Sequence, residues 1–447
     1  MTPLAVELGL VLEREPGGEA PKPPPYPPWL RPGVVIKEGI SFMVHRIGFT
    51  RTIVRMGWRG FLRGGSLLLL AGISMGMTLH NAVEADDLDA VRGLILAGED
   101  INGPNSVGHT PLHLVKSIPM AQWLIENGAS LEAITDRGDT PLLTASAVGP
   151  PEVVSFLVNA GADARQPNPK TGFTVLHYIA WSEGREALAA RMIEAGADVN
   201  ARNRNLRTPL HVAANNLIEP LTGMLLAHGA DPDALDEEGA TPLMLSLHHF
   251  GVREPEASFL EMYFRSGFDP NTAGPAGLTA LHLASARDTM HSIVKRLIEL
   301  GADVEAEAEL PGYGVSGFKP LHAAAWLGMG QTVAVLLEHG ADIQARTSDG
   351  RTALHWAASP LRPGLPQTVF LVKELTGVLD TFQPFQDTDQ RPVRRYLRKN
   401  GLPAIMKLIE HGAQPTARDQ SGRTPLDAAQ EAGYPDTAAY FQELVSR

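Results

Sequence analysis

Residues 319–358 read KPLHAAAWLGMGQTVAVLLEHGADIQARTSDGRTALHWAA. A short Ala-rich helix pattern leads into a longer apolar one from Thr332 to Glu338. Gly340-Ala341-Asp342 stops it, a polar turn comes next, and then the opening returns. The His at the fourth position of the opening, His322, recurs 33 residues later as His355. Self-similarity at that period marks a stacked array of small units rather than a closed globule, because one such unit cannot bury its own apolar face.

On either side of this stretch the opening can be aligned on eleven key residues: His80, His113, Leu143, His177, His211, Met244, His282, His322, His355, Arg394 and Asp427. They are spaced 33, 30, 34, 34, 33, 38, 40, 33, 39 and 33 residues apart. The clearest openings are Thr110-Pro111-Leu112-His113, Thr208-Pro209-Leu210-His211 and Thr241-Pro242-Leu243. Thr is a good helix N-cap and Pro suits the first helical position, so the pair starts a helix. The Ala residues after them keep that helix thin enough for close stacking. Gly161, Gly196, Gly229, Gly301 and Gly340 stand where a left-handed C-cap would end the second helix.

These residues resemble the ankyrin repeat family, over roughly Met77 to Arg447. The resemblance implies an all-α fold: a helix-turn-helix solenoid of about eleven stacked repeats, joined by finger-like β-turn loops. It also implies that the Thr and His of each opening form a hydrogen-bonding pair that ties a unit together and to its neighbour. The key histidines are structural on this reading.

Some units depart from the pattern. Residues 387–418, with Arg391-Pro392-Val393-Arg394-Arg395-Tyr396 at the opening, fit as a degenerate repeat bearing a basic face of Arg391, Arg394, Arg395, Arg398 and Lys399. Residues 419–447 replace the key His by Asp427 and read as a capping repeat. Extra residues lie between the helices of the Met244 and His355 units, and the finger before His322 is the longest, EAEAELPGYGVSGF. The His113 unit is three residues short, so Pro119 is expected to start its second helix directly.

The formal charge of -12 is uneven, since residues 1–77 carry nine Lys/Arg against five Asp/Glu. The array is therefore strongly acidic, which argues against nucleic acid as a partner. The absence of cysteine excludes disulfides, thiolate catalysis, Cys-based zinc sites and iron–sulfur clusters. Residues 1–76 read as a poorly structured or targeting extension. Seven prolines fall between Pro21 and Pro32, and basic residues precede the apolar run of residues 66–77. That run is too short to span a bilayer, which argues against a membrane span, although residues 43–77 keep an exported or anchored protein as the alternative to a cytoplasmic one.

The resemblance implies a binding surface lined by finger tips and by outward positions late in each first helix; spacing then places Phe173, Tyr178, Trp181, Glu237, Glu238, His248, His249, Phe318, Trp326 and Trp356 there as partner-binding residues, exposed aromatics being the usual interface anchors. His248 and His249 beside the two glutamates do not suit a metal, because adjacent helical side chains point about 100° apart. No phosphate loop, nucleophile elbow or metalloprotease motif stands out. The reading is a monomeric protein-binding scaffold with a protein partner and no catalytic residue, metal or cofactor.

Overall fold

The computed structural model describes residues 78–248, 257–274, 276–287, 289–310, 314–358 and 391–446. The expectations for residues 1–77 and for His249 lie outside them. The described chain is helix after helix: α1 (Leu79–Glu84) and α2 (Leu88–Leu96), a 3-10 turn (Pro111–Leu114) and α3 (Ile118–Glu126), α4 (Pro141–Val148) and α5 (Pro151–Asn159), α6 (Val175–Ile179) and α7 (Glu186–Glu194). The series continues with α8 (Pro209–Asn215) and α9 (Glu219–Ala227), α10 (Pro242–His248) and α11 (Ala257–Arg265), α12 (Ala280–Ser285) and α13 (His291–Glu299), α14 (Pro320–Trp326) and α15 (Gly330–Glu338). The last are α16 (Ala353–Ala358), α17 (Arg391–Glu410), α18 (Pro425–Glu431) and α19 (Pro435–Ser446).

The openings do what their chemistry requires. In α8 the Thr208 hydroxyl accepts the backbone N–H of His211, and Pro209 occupies the first turn. The short His113 unit keeps only the 3-10 turn as its first helix, and Ser117 caps α3 with Pro119 in its first turn. Glycines 161, 196, 229, 301 and 340 all have positive φ, between 85° and 105°, so each second helix ends on the residue that tolerates that conformation best. First helices contact first helices and second helices contact second helices down the stack. Residues such as Leu112, Val153, Leu210, Leu281 and Leu336 are fully buried in one continuous apolar core. The long finger before His322 folds back as an antiparallel pair, β1 (Ala308–Leu310) and β2 (Val315–Phe318), with Ala308 opposite Phe318. Its alternation buries Ala308, Leu310, Val315 and Phe318.

The degenerate repeat is corrected by the structure. Residues 391–410 form one continuous helix, not two helices and a turn. That helix packs on α15 and α16, with Ile405 and Leu408 fully buried. Its carboxyl-terminal half therefore stands where the second helix of the His355 unit belongs. The fingers agree, because the Gln420 N–H donates to the Asp349 carbonyl at 3.0 Å, and His355 Nε2 bonds the Arg423 carbonyl at 3.0 Å. The finger before His355 thus lies directly against the finger before Asp427. Among the described residues the stack has ten openings rather than eleven, keyed by His80, His113, Leu143, His177, His211, Met244, His282, His322, His355 and Asp427.

This seat can be tested at Gly330, the first residue of α15, where an added Cβ would come within 2.9 Å of the Pro403 ring and 3.0 Å of its carbonyl carbon. Helix propensity favours replacing that glycine, but overpacking costs about 1–3 kcal/mol. Gly330→Leu is expected to lower stability in urea unfolding and to speed amide hydrogen exchange over residues 404–410. Unchanged protection there would remove α17 from this position.

Candidate functional site

Each described repeat presents a finger and a first helix, and in most of them these are positioned by the key histidine. In the His113, His177, His211, His282 and His355 units the Thr backbone N–H donates to His Nδ1 at 3.0–3.2 Å. The Thr hydroxyl lies 2.9–3.0 Å from the same nitrogen. Because Nδ1 faces a donor it must accept, so the ring proton sits on Nε2. That N–H donates to a carbonyl of the next finger: Asp139, Arg207, Ala240, Phe318 and Arg423 in turn, at 2.8–3.1 Å. One neutral imidazole thus caps its own helix and fixes the neighbouring finger. Burial depresses the pKa of His113, His177, His211, His282 and His322 to about 4. In the last unit the Asp427 carboxylate takes the Nδ1 role, accepting from the Thr424 N–H and hydroxyl, both at 2.8 Å. Adjacent fingers also bond directly: the Arg204 N–H donates to the Thr171 carbonyl and the Glu237 N–H to the Asn205 carbonyl.

The aromatic residues selected by register divide into two groups. Phe173 and Trp181 are partly exposed, and they line a groove of about 130 Å³ with Asn203, Asn205, Arg207, His211, Val212 and Asn215 of the next repeat. Tyr178, 4% exposed, is turned inward, where its ring meets Phe173 edge-on and its hydroxyl donates to Asp139 Oδ1 at 2.5 Å. Burial and that bond raise its pKa. Phe318, Trp326 and Trp356 are 0%, 1% and 1% exposed, so the expectation that they stand at the surface is corrected. They pack edge to face on one another, with centroids 5.2 to 6.2 Å apart. The Arg351 guanidinium lies 4.5 Å from the Trp356 ring centroid.

The difference between the groups has a simple cause. Phe173 and Phe318 stand four residues before their key His, and Trp181 and Trp326 four residues after it. Opposite the first pair the next repeat places Val212, directly after its key His; opposite the second it places Trp356 at the same position. The small side chain leaves a groove and the large one fills it. The same register marks Arg207 and Asn215, which the sequence reading did not single out, as partners of Phe173 and Trp181 one repeat later.

Glu237 and Glu238 are exposed on the following finger, and Glu238 lies 3.9 Å from Arg207 Nη2. Arg207 Nε also donates to Asp236 at 3.0 Å, so its guanidinium is held at the groove. The side chains of His248, Arg391, Arg394, Arg395, Arg398 and Lys399 lie outside the described residues, although their backbones belong to α10 and α17. Among the described residues no helix is long and apolar enough to cross a membrane.

Comparison with known proteins agrees with this geometry. The family model described as Ankyrin repeats (3 copies) matches residues 79–168, 116–203, 176–254 and 249–347. The chain is 32% identical to mouse neurogenic locus notch homolog protein 1 over 184 residues, which are 38% of this chain and 7% of that protein. It is 31% identical to the mouse B-cell lymphoma 3 protein homolog over 193 residues, 42% of this chain and 41% of that one. With the human transient receptor potential cation channel subfamily A member 1 it shares 25% identity over 388 residues, 82% of this chain and 33% of the channel. The chain therefore spans less than half the length of each of these relatives. With family matches running over more than half of its residues, and His-capped helix pairs stacked in register beneath them, the chain belongs to the ankyrin repeat family.

Proposed function

We propose that the chain is a protein-interaction scaffold that holds a protein partner on its finger and first-helix face. Ankyrin repeats mediate protein–protein interaction and are typically non-catalytic modules. The observation that carries the reading here is the groove between the fourth and fifth repeats, where two half-exposed aromatics face a held arginine. Stacked units fixed by buried histidines arrive pre-ordered, so that binding need not meet the entropic cost of arranging the surface. Phe173, Trp181, Glu237 and Glu238 are the contacts retained from the sequence reading; Asn205, Arg207 and Asn215 join them.

The test places a photo-crosslinking residue in the full chain at Asn205 or Glu237 on the fingers, or at exposed Gln122 or Lys295 on second helices. Covalent capture of a protein from the two finger positions, and not from the two helix positions, is the expected result. Equal capture from all four, capture from the helices alone, or no capture would overturn the reading.

A further inference from the structure

The fingers around this groove carry an unusual charge pattern for an acidic array. Residues 164–173 and 199–208 contain Arg165, Lys170, Arg202, Arg204 and Arg207 and no carboxylate. The equivalent residues of the next finger, 232–241, contain Asp233, Asp236, Glu237 and Glu238 and no cation; all three fingers follow the Asp of their stop, Asp163, Asp198 and Asp231. Lys170, Arg202 and Arg204 are exposed, and each donates to a backbone carbonyl: those of Asp136, Leu235 and Pro169. Among the described residues none of the three pairs with a carboxylate, so their charge is uncompensated at contact distance. Within the groove, Phe173, Trp181 and Val212 supply apolar wall, and Trp181 Nε1–H is buried with no acceptor among the described residues. A volume of about 130 Å³ compares with the roughly 150 Å³ apolar cavity that holds a benzene ring.

Resting on the scaffold reading, we infer that the groove between the fourth and fifth repeats binds an acidic peptide segment of the partner. One aliphatic or aromatic side chain seats between Phe173, Trp181 and Val212. Flanking carboxylates lie along Lys170, Arg202 and Arg204. Charge complementarity selects this occupant over a basic segment, and Glu237 and Glu238 set the limit of the acidic stretch on one side. The acidity of the array as a whole favours a peptide with a few carboxylates over a polyanion as densely charged as nucleic acid.

The experiment pans a random twelve-residue peptide library displayed on phage against the full chain, then measures the affinity of the enriched peptides by fluorescence anisotropy. Enriched sequences are expected to hold one large apolar residue flanked by at least two Asp or Glu. Affinity is expected to fall tenfold or more in the Arg202→Glu/Arg204→Glu variant, whose side chains are exposed and do not hold the core. Val212→Trp, which copies the filled groove of the ninth repeat, should abolish binding; circular dichroism checks that it folds. Glu237→Lys/Glu238→Lys should strengthen it. Enrichment of basic or uncharged sequences, no enrichment, equal binding to the Arg202→Glu/Arg204→Glu variant, or displacement by a twenty-nucleotide single-stranded oligonucleotide would each overturn the inference. Finger crosslinking to a protein in the face of such a result would leave the scaffold reading standing and remove only the acidic peptide.

Discussion

Acidification from pH 7 to pH 4 is expected to unfold most of the array. In the folded chain the imidazoles of His113, His177, His211, His282 and His322 have pKa values near 4, held there chiefly by burial. Their ordinary value is about 6.5. The folded values lie below the unfolded ones, so the unfolded chain takes up protons first and gains stability as pH falls. The stability of the fold is therefore complete above pH 6.5, falls between 6.5 and 4, and loses nothing more from these groups below that. Linkage gives about 2 kcal/mol per histidine at pH 5, or about 10 kcal/mol for the five together. That is comparable with the whole stability of an ordinary domain, about 5–15 kcal/mol. The stereochemistry gives the same direction, since a protonated Nδ1 would meet the N–H that it now accepts from. Helical circular dichroism measured from pH 7 to pH 4 would show a transition centred near pH 5, and full helicity at pH 4.5 would contradict the role assigned to these rings.

Trp326→Ala is expected to cost about 3–5 kcal/mol, the range for truncating a large buried aromatic. Trp326 fills the space between Phe318 on the hairpin finger and Trp356 of the next repeat, so the loss would reach both neighbours. In urea, the near-ultraviolet signal of this cluster should disappear at lower denaturant than in the parent chain. Phe173→Ala and Trp181→Ala, at half-exposed positions of the same register, should each cost much less and act on binding instead. If Trp326→Ala left stability intact and weakened only binding, Trp326 would be a contact residue and the buried cluster would be misassigned.

Most of the fold can be read in one dimension because most repeats state their own boundaries: Thr, often with Pro, to start, glycine to stop, His to join. The repeat keyed on Arg394 misleads for a reason equally one-dimensional. The interval between α16 and α17 is close to one repeat in length, so a single unit with an insertion keeps the same period as two units without one. The unbroken helix and the contacts of Asp349 with Gln420 and of His355 with Arg423 across the fingers distinguish them. The binding residues were less legible. Phe173 and Phe318 occupy equivalent positions in sequence, and whether either is exposed depends on a residue of another repeat, Val212 or Trp356. Likewise Arg207 reads as one arginine among several until Asp236 and Glu238 are seen to hold it beside Trp181.

The divided ninth repeat has a consequence for biosynthesis. As the polypeptide leaves the ribosome, most repeats can close on the one already made, because both helices of a unit emerge together. The unit beginning at α16 cannot. Its first helix emerges some fifty residues before the end of α17, a delay of roughly 3–10 s at common elongation rates. During that interval the faces of α15 and α16 lack the cover that α17 later gives them. This junction is where a nascent chain would recruit a chaperone.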